Sequence, residues 1–136
     1  MARLKGKVAI ITGGANGIGR AICERFYEEE AIVIIADMNK TAGQEVARHL
    51  GERASFSQLD VREKDQWHSL VEKTVREHGK LDVLVNNAGI LSTSSRQSVE
   101  DVNLEEWRSV QSVNVEGVFL GCQAAVGGMR SVGGAI

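Results

Sequence analysis

The segment Val8-Ala9-Ile10-Ile11-Thr12-Gly13-Gly14-Ala15-Asn16-Gly17-Ile18-Gly19 joins an unbroken apolar run to a cluster of glycines. Apolar residues without polar alternation suit a strand covered on both faces, and Gly6 and Gly13 bound this one. Beyond the glycines, Ile18, Ile22 and Phe26 recur every four residues, while Arg25 and Glu28-Glu29-Glu30 fall off that line. This spacing predicts an amphipathic helix. The segment therefore reads as strand, glycine turn, helix.

The same alternation continues outward from it. Ala31 to Ala36 reads as a second buried strand rich in branched residues, ending at Asp37. Thr41 to Leu50 places Ala42, Val46 and Leu50 on one helical face, with Gly51 as its stop. Ala54 to Val61 reads as a third strand. Glu63 to His78 reads as a helix carrying Trp67, Val71 and Val75 and closed by Gly79, and Leu81 to Val85 as a fourth strand. Strict strand and helix alternation implies right-handed crossovers and a parallel sheet covered on both faces, the doubly wound α/β architecture. After a polar loop, Ser92 to Asp101, a long helical pattern runs from Leu104 to about Met129 through Trp107, Val110 and Val118. Its small residues Gly117, Gly121, Ala124 and Ala125 would let another helix approach. Val132 to Ile136 reads as a turn into a fifth strand. No linker or low-complexity segment divides the 136 residues, which form one domain, residues 1–136.

Composition narrows the partners. Lys and Arg sum to 16 and Asp and Glu to 18, a net charge of -2, so no electrostatic excess favours nucleic acid or anionic lipid. The longest apolar run, Ala31 to Ala36, is far below the roughly 18 residues of a membrane span. Val8 to Ile11 is shorter than the ~7 residues of a secretory core. A cytoplasmic protein is expected. Cys23 and Cys122 lie far apart in helical patterns, as small buried hydrophobes of a reducing compartment do. His49, His68 and His78 match no metal-ligand spacing, so no metal is expected and these side chains should be solvated.

The glycines carry the chemistry. In a parallel sheet the first strand-to-helix turn lies at the carboxyl edge, where the helix presents unsatisfied N–H groups and the positive end of its dipole, a site for a pyrophosphate. A nucleoside-triphosphate loop would continue Gly19 with Lys and Ser or Thr, but Arg20-Ala21 stand there. The strict G-x-G-x-x-G fingerprint also fails, because Ile22 occupies the third glycine position. A Thr-Gly-x-x-x-Gly-x-Gly pattern remains, with a purely structural tight turn as the alternative. Asp37 ends the second strand eighteen residues after Gly19, near the ~20-residue spacing at which an acidic residue reaches an adenosine ribose 2′-hydroxyl. A carboxylate there accepts from the ribose and repels a 2′-phosphate, favouring NAD(H) over NADP(H). Met38 and Asn16 offer no cation to reverse this, and Lys40 is the one nearby base. The alternative for Asp37 is an N-cap of the next helix.

Thr12 to Gly19, Asp37, Asp60-Val61, Asn86-Asn87-Ala88-Gly89, and Asn114 within Ser112-Val113-Asn114-Val115 together resemble the N-terminal half of a short-chain dehydrogenase/reductase. The resemblance covers essentially the whole chain, in order, and implies a dinucleotide-binding Rossmann fold. It implies that Gly13, Gly17 and Gly19 shape the pyrophosphate turn, bordered by Asn16 and Ile18, and that Asp37 holds the adenosine ribose. Asp60 and Val61 would contact the adenine, the carboxylate turned to its exocyclic amine; a helix N-cap is the alternative for Asp60. Asn87, Ala88 and Gly89 would run beside the cofactor, and Asn86 would brace neighbouring strands. Asn114 would interrupt its helix and free a backbone carbonyl for a water in a proton relay. Its alternative is a structural hydrogen-bond partner.

The family transfers a hydride between nicotinamide and a carbinol or carbonyl carbon, using a Tyr-x-x-x-Lys pair and an upstream serine. The single tyrosine here, Tyr27, lies in the first helix with Ala31 where the lysine would stand, and Ser92, Ser94 and Ser95 precede the expected serine. Asn114 is thus the one member of the catalytic set. Two readings follow: the N-terminal part of a longer one-domain NAD(H)-dependent oxidoreductase acting on a small alcohol or carbonyl compound, or a non-catalytic dinucleotide-binding or cofactor-sensing module. Apolar positions left uncovered on the long helix and an unpaired sheet edge favour the first. The helix around Gly117 and Gly121 resembles the segment through which the family pairs, so a homodimer or homotetramer is expected.

Overall fold

Strand β1, Val8–Thr12, is buried along its whole length and forms the centre of the sheet. The structure, a computed structural model, describes residues 2–93 and 98–136; Ser94 and Ser95 of the polar loop lie outside them. After β1 come α1 (Gly17–Glu28), β2 (Ile32–Asp37), α2 (Lys40–Leu50), β3 (Ala54–Gln58), α3 (Lys64–His78) and β4 (Val83–Val85). Among the described residues the strands are ordered β3-β2-β1-β4, and every pairing is parallel. Val8 pairs with Ile32 and Thr12 with Ala36, while Ala9 to Ile11 pair with Val83 to Val85 on the other side. The chain thus moves outward from β1 to β3 and returns to start β4 against β1. This reversal opens a crevice above the carboxyl ends of β1 and β4.

Pleating sends alternate residues into two cores. Ala9, Ile11, Val33 and Ile35 pack with Cys23 and Val46 beneath α1 and α2. Val8, Ile10, Ile34 and Ala36 pack on the opposite face with Trp67, Leu70 and Val71 of α3. The doubly wound parallel sheet expected from the sequence is therefore present. Two strands are shorter than their apolar patterns. β3 stops at Gln58 opposite Asp37, where β2 itself ends, although Leu59 and Val61 remain buried beyond it. Leu81 and Asp82 precede β4.

The long helix is continuous from Leu104 to Met129 but changes pitch. α4 (Leu104–Gln111) passes into a π-helical turn, Ser112–Glu116, and then into α5 (Gly117–Met129). The helix that its small residues admit is α3 of the same chain. A Cβ on Gly121 would stand 2.8 Å from the Trp67 ring, one on Gly117 2.7 Å from Val61, and one on Gly128 2.7 Å from Val71. Gly117 and Gly121 therefore face inward, because the carboxyl ends of β3 and β4 draw this face of the helix onto the sheet. The exposed apolar residues of the same helix are Val115, Phe119 and Val126. Past α5, Ala135 bridges to Val83 in parallel and accepts the Leu84 N–H at 3.0 Å. The expected fifth strand begins there.

Asn86 departs from its expected role as a strand brace. It lies one residue past β4, beyond the ladder, and its amide donates to Cys122 Sγ of α5 at 3.6 Å. Cys122 is half-buried, whereas Cys23 is fully buried. Among the described residues no helix is long and apolar enough to cross a membrane.

Candidate functional site

A cleft of about 350 Å³ opens at the carboxyl edge of the sheet. Gly13, Asn16, Ile18 and Gly19 line it from the β1–α1 turn, Asp37 from the end of β2, Val61 from beyond β3, and Asn87, Ala88 and Gly89 from beyond β4. These elements are far apart in sequence and meet because parallel strands place their carboxyl ends on one edge. Gly17 stands outside the lining, at the exposed shoulder of the turn. Asp60 borders an adjoining hollow instead, and Asn114 lies one residue past the lining residue Val113.

The turn is shaped by two different demands on glycine. A Cβ on Gly19 would lie 2.1 Å from the Gly13 carbonyl oxygen and 2.5 Å from Asn87 Nδ2, so the first turn of α1 closes onto the end of β1 only if this residue has no side chain. Gly17 meets nothing within 4 Å but has φ +52°, the left-handed region. The space above it is open. Asn16 is the N-cap residue of α1, yet its side chain makes no capping bond. The Arg20 N–H donates to the Asn16 carbonyl at 3.0 Å, and the N–H groups of Gly17, Ile18 and Gly19 precede any acceptor within the helix. An anion is the natural partner of such a donor set.

Thr12 holds the opposite wall. Its buried hydroxyl donates to the Val85 carbonyl (3.3 Å) and accepts the N–H groups of Asn87 (3.0 Å) and Ala88 (2.9 Å). Asn87 donates a second time through Nδ2, to the Thr12 carbonyl at 2.9 Å and to that of Gly13 at 3.4 Å. Thr12 was legible as part of the motif but not as the residue that fixes Asn87. The available signal was a hydroxyl at the end of a buried strand, which must be satisfied by groups from another element. Beneath the turn, Cys23 Sγ lies 3.9 Å from the Gly14 carbonyl, and burial pushes its thiol up to about 12. It is a neutral packing group.

Asp37 is oriented by two backbone donors: Ala15 N–H to Oδ2 at 3.0 Å and Asn39 N–H to Oδ1 at 2.9 Å. It does not cap α2; Asn39 does, accepting the Ala42 N–H at 3.1 Å. A carboxylate has about four acceptor positions, so Asp37 retains capacity toward the cleft. Asp60 is not a cap either, since Glu63 occupies that position of α3. Its carboxylate is held by Arg62, through the backbone N–H (3.0 Å), Nε (2.9 Å) and Nη2 (2.5 Å). That hydrogen-bonded guanidinium, opposed by partial burial, holds the carboxyl below the ordinary carboxylate range.

Asn114 sits in the π-helical turn and forms a reciprocal pair with the backbone of Ile90. The Ile90 N–H donates to Oδ1 at 2.8 Å, and Nδ2 donates to the Ile90 carbonyl at 2.9 Å. Ile90 and Val113 line the cleft, so this pair fixes one of its walls. Met38 and Leu59 add further apolar lining. Sequence reading assigned no role to these four residues, because only the folded topology brings them to one edge.

Residues 7–136 match the model of the short chain dehydrogenase family. The chain belongs to the short chain dehydrogenases. It is 41% identical over 134 residues to a 3-beta-hydroxysteroid dehydrogenase of Comamonas testosteroni, covering 98% of this chain and 52% of that protein. It is 41% identical over 133 residues to an NADP-dependent (R)-specific alcohol dehydrogenase of Lentilactobacillus kefiri, covering 96% and 52%. A Tropinone reductase-like 2 of Erythroxylum coca is 44% identical over 124 residues, covering 90% and 45%. The chain spans about half the length of these curated relatives. One of these short chain dehydrogenases is named for NADP, so membership alone does not decide between NAD and NADP.

Proposed function

We propose that the chain forms the nicotinamide-dinucleotide-binding part of an oxidoreductase that moves a hydride between the cofactor and an alcohol or carbonyl substrate, with NAD(H) preferred over NADP(H). The observation that carries this reading is the Asp37 carboxylate, lining the same cleft as the glycine turn and held there by the Ala15 and Asn39 N–H groups.

The residues present fit such a cofactor. The closed approach at Gly19, the open space over Gly17 and the N–H groups of the first turn of α1 suit a pyrophosphate. Asp37 would accept from the adenosine ribose and repel a 2′-phosphate. Leu59, Val61 and Met38 give the adenine an apolar slot, and Asn87, Ala88 and Gly89 border the path toward the nicotinamide. A bound nicotinamide supplies the hydride donor or acceptor. Ile90, fixed by Asn114, forms a wall of the cleft. Because the Asn114 amide is spent on Ile90, its contribution to a proton relay would come from the backbone carbonyl of the widened helical turn. The 136 residues contain no Tyr-x-x-x-Lys pair, so the acid–base step of the family pattern is assigned to no residue of this chain.

Calorimetric titration of the protein with NAD+ and NADP+ tests the proposal. NAD+ should bind about tenfold or more tightly than NADP+, and Asp37→Ala should weaken NAD+ by about tenfold, the scale of one hydrogen bond to a charged group. Equal affinities in the parent protein, or unchanged affinities for both in Asp37→Ala, would remove Asp37 from the ribose site.

A further inference from the structure

The backbone that leaves β4 passes Gly89 and is held by two side chains of the long helix. Asn114 binds both the N–H and the carbonyl of Ile90. Two residues on, the Ser92 hydroxyl donates to the Glu106 carboxylate, which lies about two helical turns before Asn114. Glu106 stands in the first turn of α4, where the Asn103 side chain caps the helix by accepting the Glu106 N–H at 2.8 Å. An acidic side chain is favoured at that end by the helix dipole. Ser92 and Glu106 are both half-buried. Ile90 lines the cofactor cleft and also a second hollow of about 320 Å³, whose other walls include Ser92, Glu106 and Val110. The bond between Ser92 and Glu106 therefore anchors the cleft wall from behind.

We propose that Ser92 and Glu106 are positioning residues for the nicotinamide half of the dinucleotide: with Asn114 they clamp the segment after β4 at two points and fix the Ile90 wall beside which that half would lie. The order of the strand ends supports this placement. Asp37 at the end of β2 and Leu59 and Val61 beyond β3 lie on one side of the glycine turn, and Ile90 beyond β4 lies on the other. A dinucleotide with its adenosine on the β2 and β3 side and its pyrophosphate on the turn would extend its nicotinamide toward Ile90. Leu91, between the two anchors, is 85% exposed, so its own packing does not hold the segment. An anchor at Ile90 alone leaves the backbone of Leu91 and Ser92 free to rotate. The second anchor orders it before the ligand arrives, so that binding does not bear that cost. This inference rests on the dinucleotide reading of the cleft.

Its test is calorimetric titration with NADH and with ADP, which reaches only the adenosine and pyrophosphate ends. The proteins are the parent, Ser92→Ala, Ser92→Thr, Glu106→Ala and the double variant Ser92→Ala/Glu106→Ala, each with its fold checked by circular dichroism. Ser92→Ala should bind NADH about tenfold more weakly, the scale of ordering one further residue on binding, and ADP within about twofold of the parent. Ser92→Thr, which keeps the hydroxyl, should recover most of the NADH affinity. The double variant should lose no more than the weaker-binding single variant, because the two residues act through one bond. Equal losses for NADH and ADP would assign the bond to general stability and overturn the inference. Unchanged NADH binding in Ser92→Ala, losses that add in the double variant, or a parent that binds NADH no more tightly than ADP would also overturn it, while leaving the dinucleotide site intact. A folded parent that binds neither ligand would overturn both readings.

Discussion

Thr12 and Asn87, seventy-five residues apart, are bonded to each other twice: the Asn87 N–H donates to the Thr12 hydroxyl at 3.0 Å, and the Asn87 amide donates to the Thr12 carbonyl at 2.9 Å. These two bonds, both donated by Asn87, tie the exit of β4 to the start of the glycine turn and thus set the width of the cleft. Thr12→Val keeps the shape but leaves the N–H groups of Asn87 and Ala88 without their acceptor. Urea denaturation should show a loss of about 1–3 kcal/mol, with weaker dinucleotide binding. Thr12→Ser, which keeps the hydroxyl, should recover most of both. A valine variant as stable as the parent would show that water replaces the hydroxyl without cost.

Gly17 and Gly19 should respond differently to alanine. At Gly17 the side chain has room and only the left-handed backbone opposes it, so Gly17→Ala should cost about 1–2 kcal/mol and leave a folded protein. At Gly19 the new methyl would meet the backbone oxygen of Gly13. Gly19→Ala should therefore displace the turn and abolish dinucleotide binding even where the chain stays folded. Thermal melts and cofactor titrations of the two variants separate these outcomes; equal behaviour would refute the distinction.

The inward face of α5 makes a second contrast. Gly121→Val would press on the Trp67 ring and the Asn86 amide oxygen, and overpacking of this kind costs about 1–3 kcal/mol. Gly127, on the same helix, has nothing within 4 Å. Gly127→Ala should stabilise the protein by about 0.5–1 kcal/mol through helix propensity alone. Opposite shifts in the denaturation midpoint are expected, and a Gly121→Val protein of parental stability would mean that α3 and α5 are not closely apposed.

At the other end of the sheet, Asp82 links β1 to the residues before β4. Its carboxylate accepts the Val8 N–H at 2.9 Å and pairs with Lys80 at 2.9 Å and Lys7 at 3.2 Å. Burial pushes this carboxyl up, but the Val8 N–H and the two ammonium groups outweigh it and the net shift is downward. A carboxyl lowered in the folded state stabilises the protein above its unfolded pKa, and that contribution is lost as pH falls through the folded value. Asp82→Asn should thus be less stable than the parent by about 1–3 kcal/mol at pH 7. The gap should narrow below the ordinary carboxylate value of ~4. A gap independent of pH would assign the effect to packing.

The order of strands and helices, the parallel sheet and the position of the glycine turn were legible in the residues themselves, because periodicity and turn chemistry are local properties. Val8 to Ile11 could only be a strand buried on both faces, and Ile18, Ile22 and Phe26 only the stripe of a helix that covers it. Asp37 was legible too, since its place at the end of β2 fixes its distance from the turn. Other features depended on which elements became neighbours. Nothing in the sequence distinguishes an outward Gly121 from one seated on Trp67, and the spacing of Asp60 and Arg62 does not show that the arginine occupies both carboxylate oxygens. Thr12 finding Asn87, and Asn114 finding Ile90, are long-range bonds made because buried polar groups must be satisfied by whatever backbone the topology brings near. Local pattern determined the elements and the chemical character of the turn. Tertiary contact decided which carboxylate lines the cleft, because hydrogen-bond competition is settled only between groups already in place.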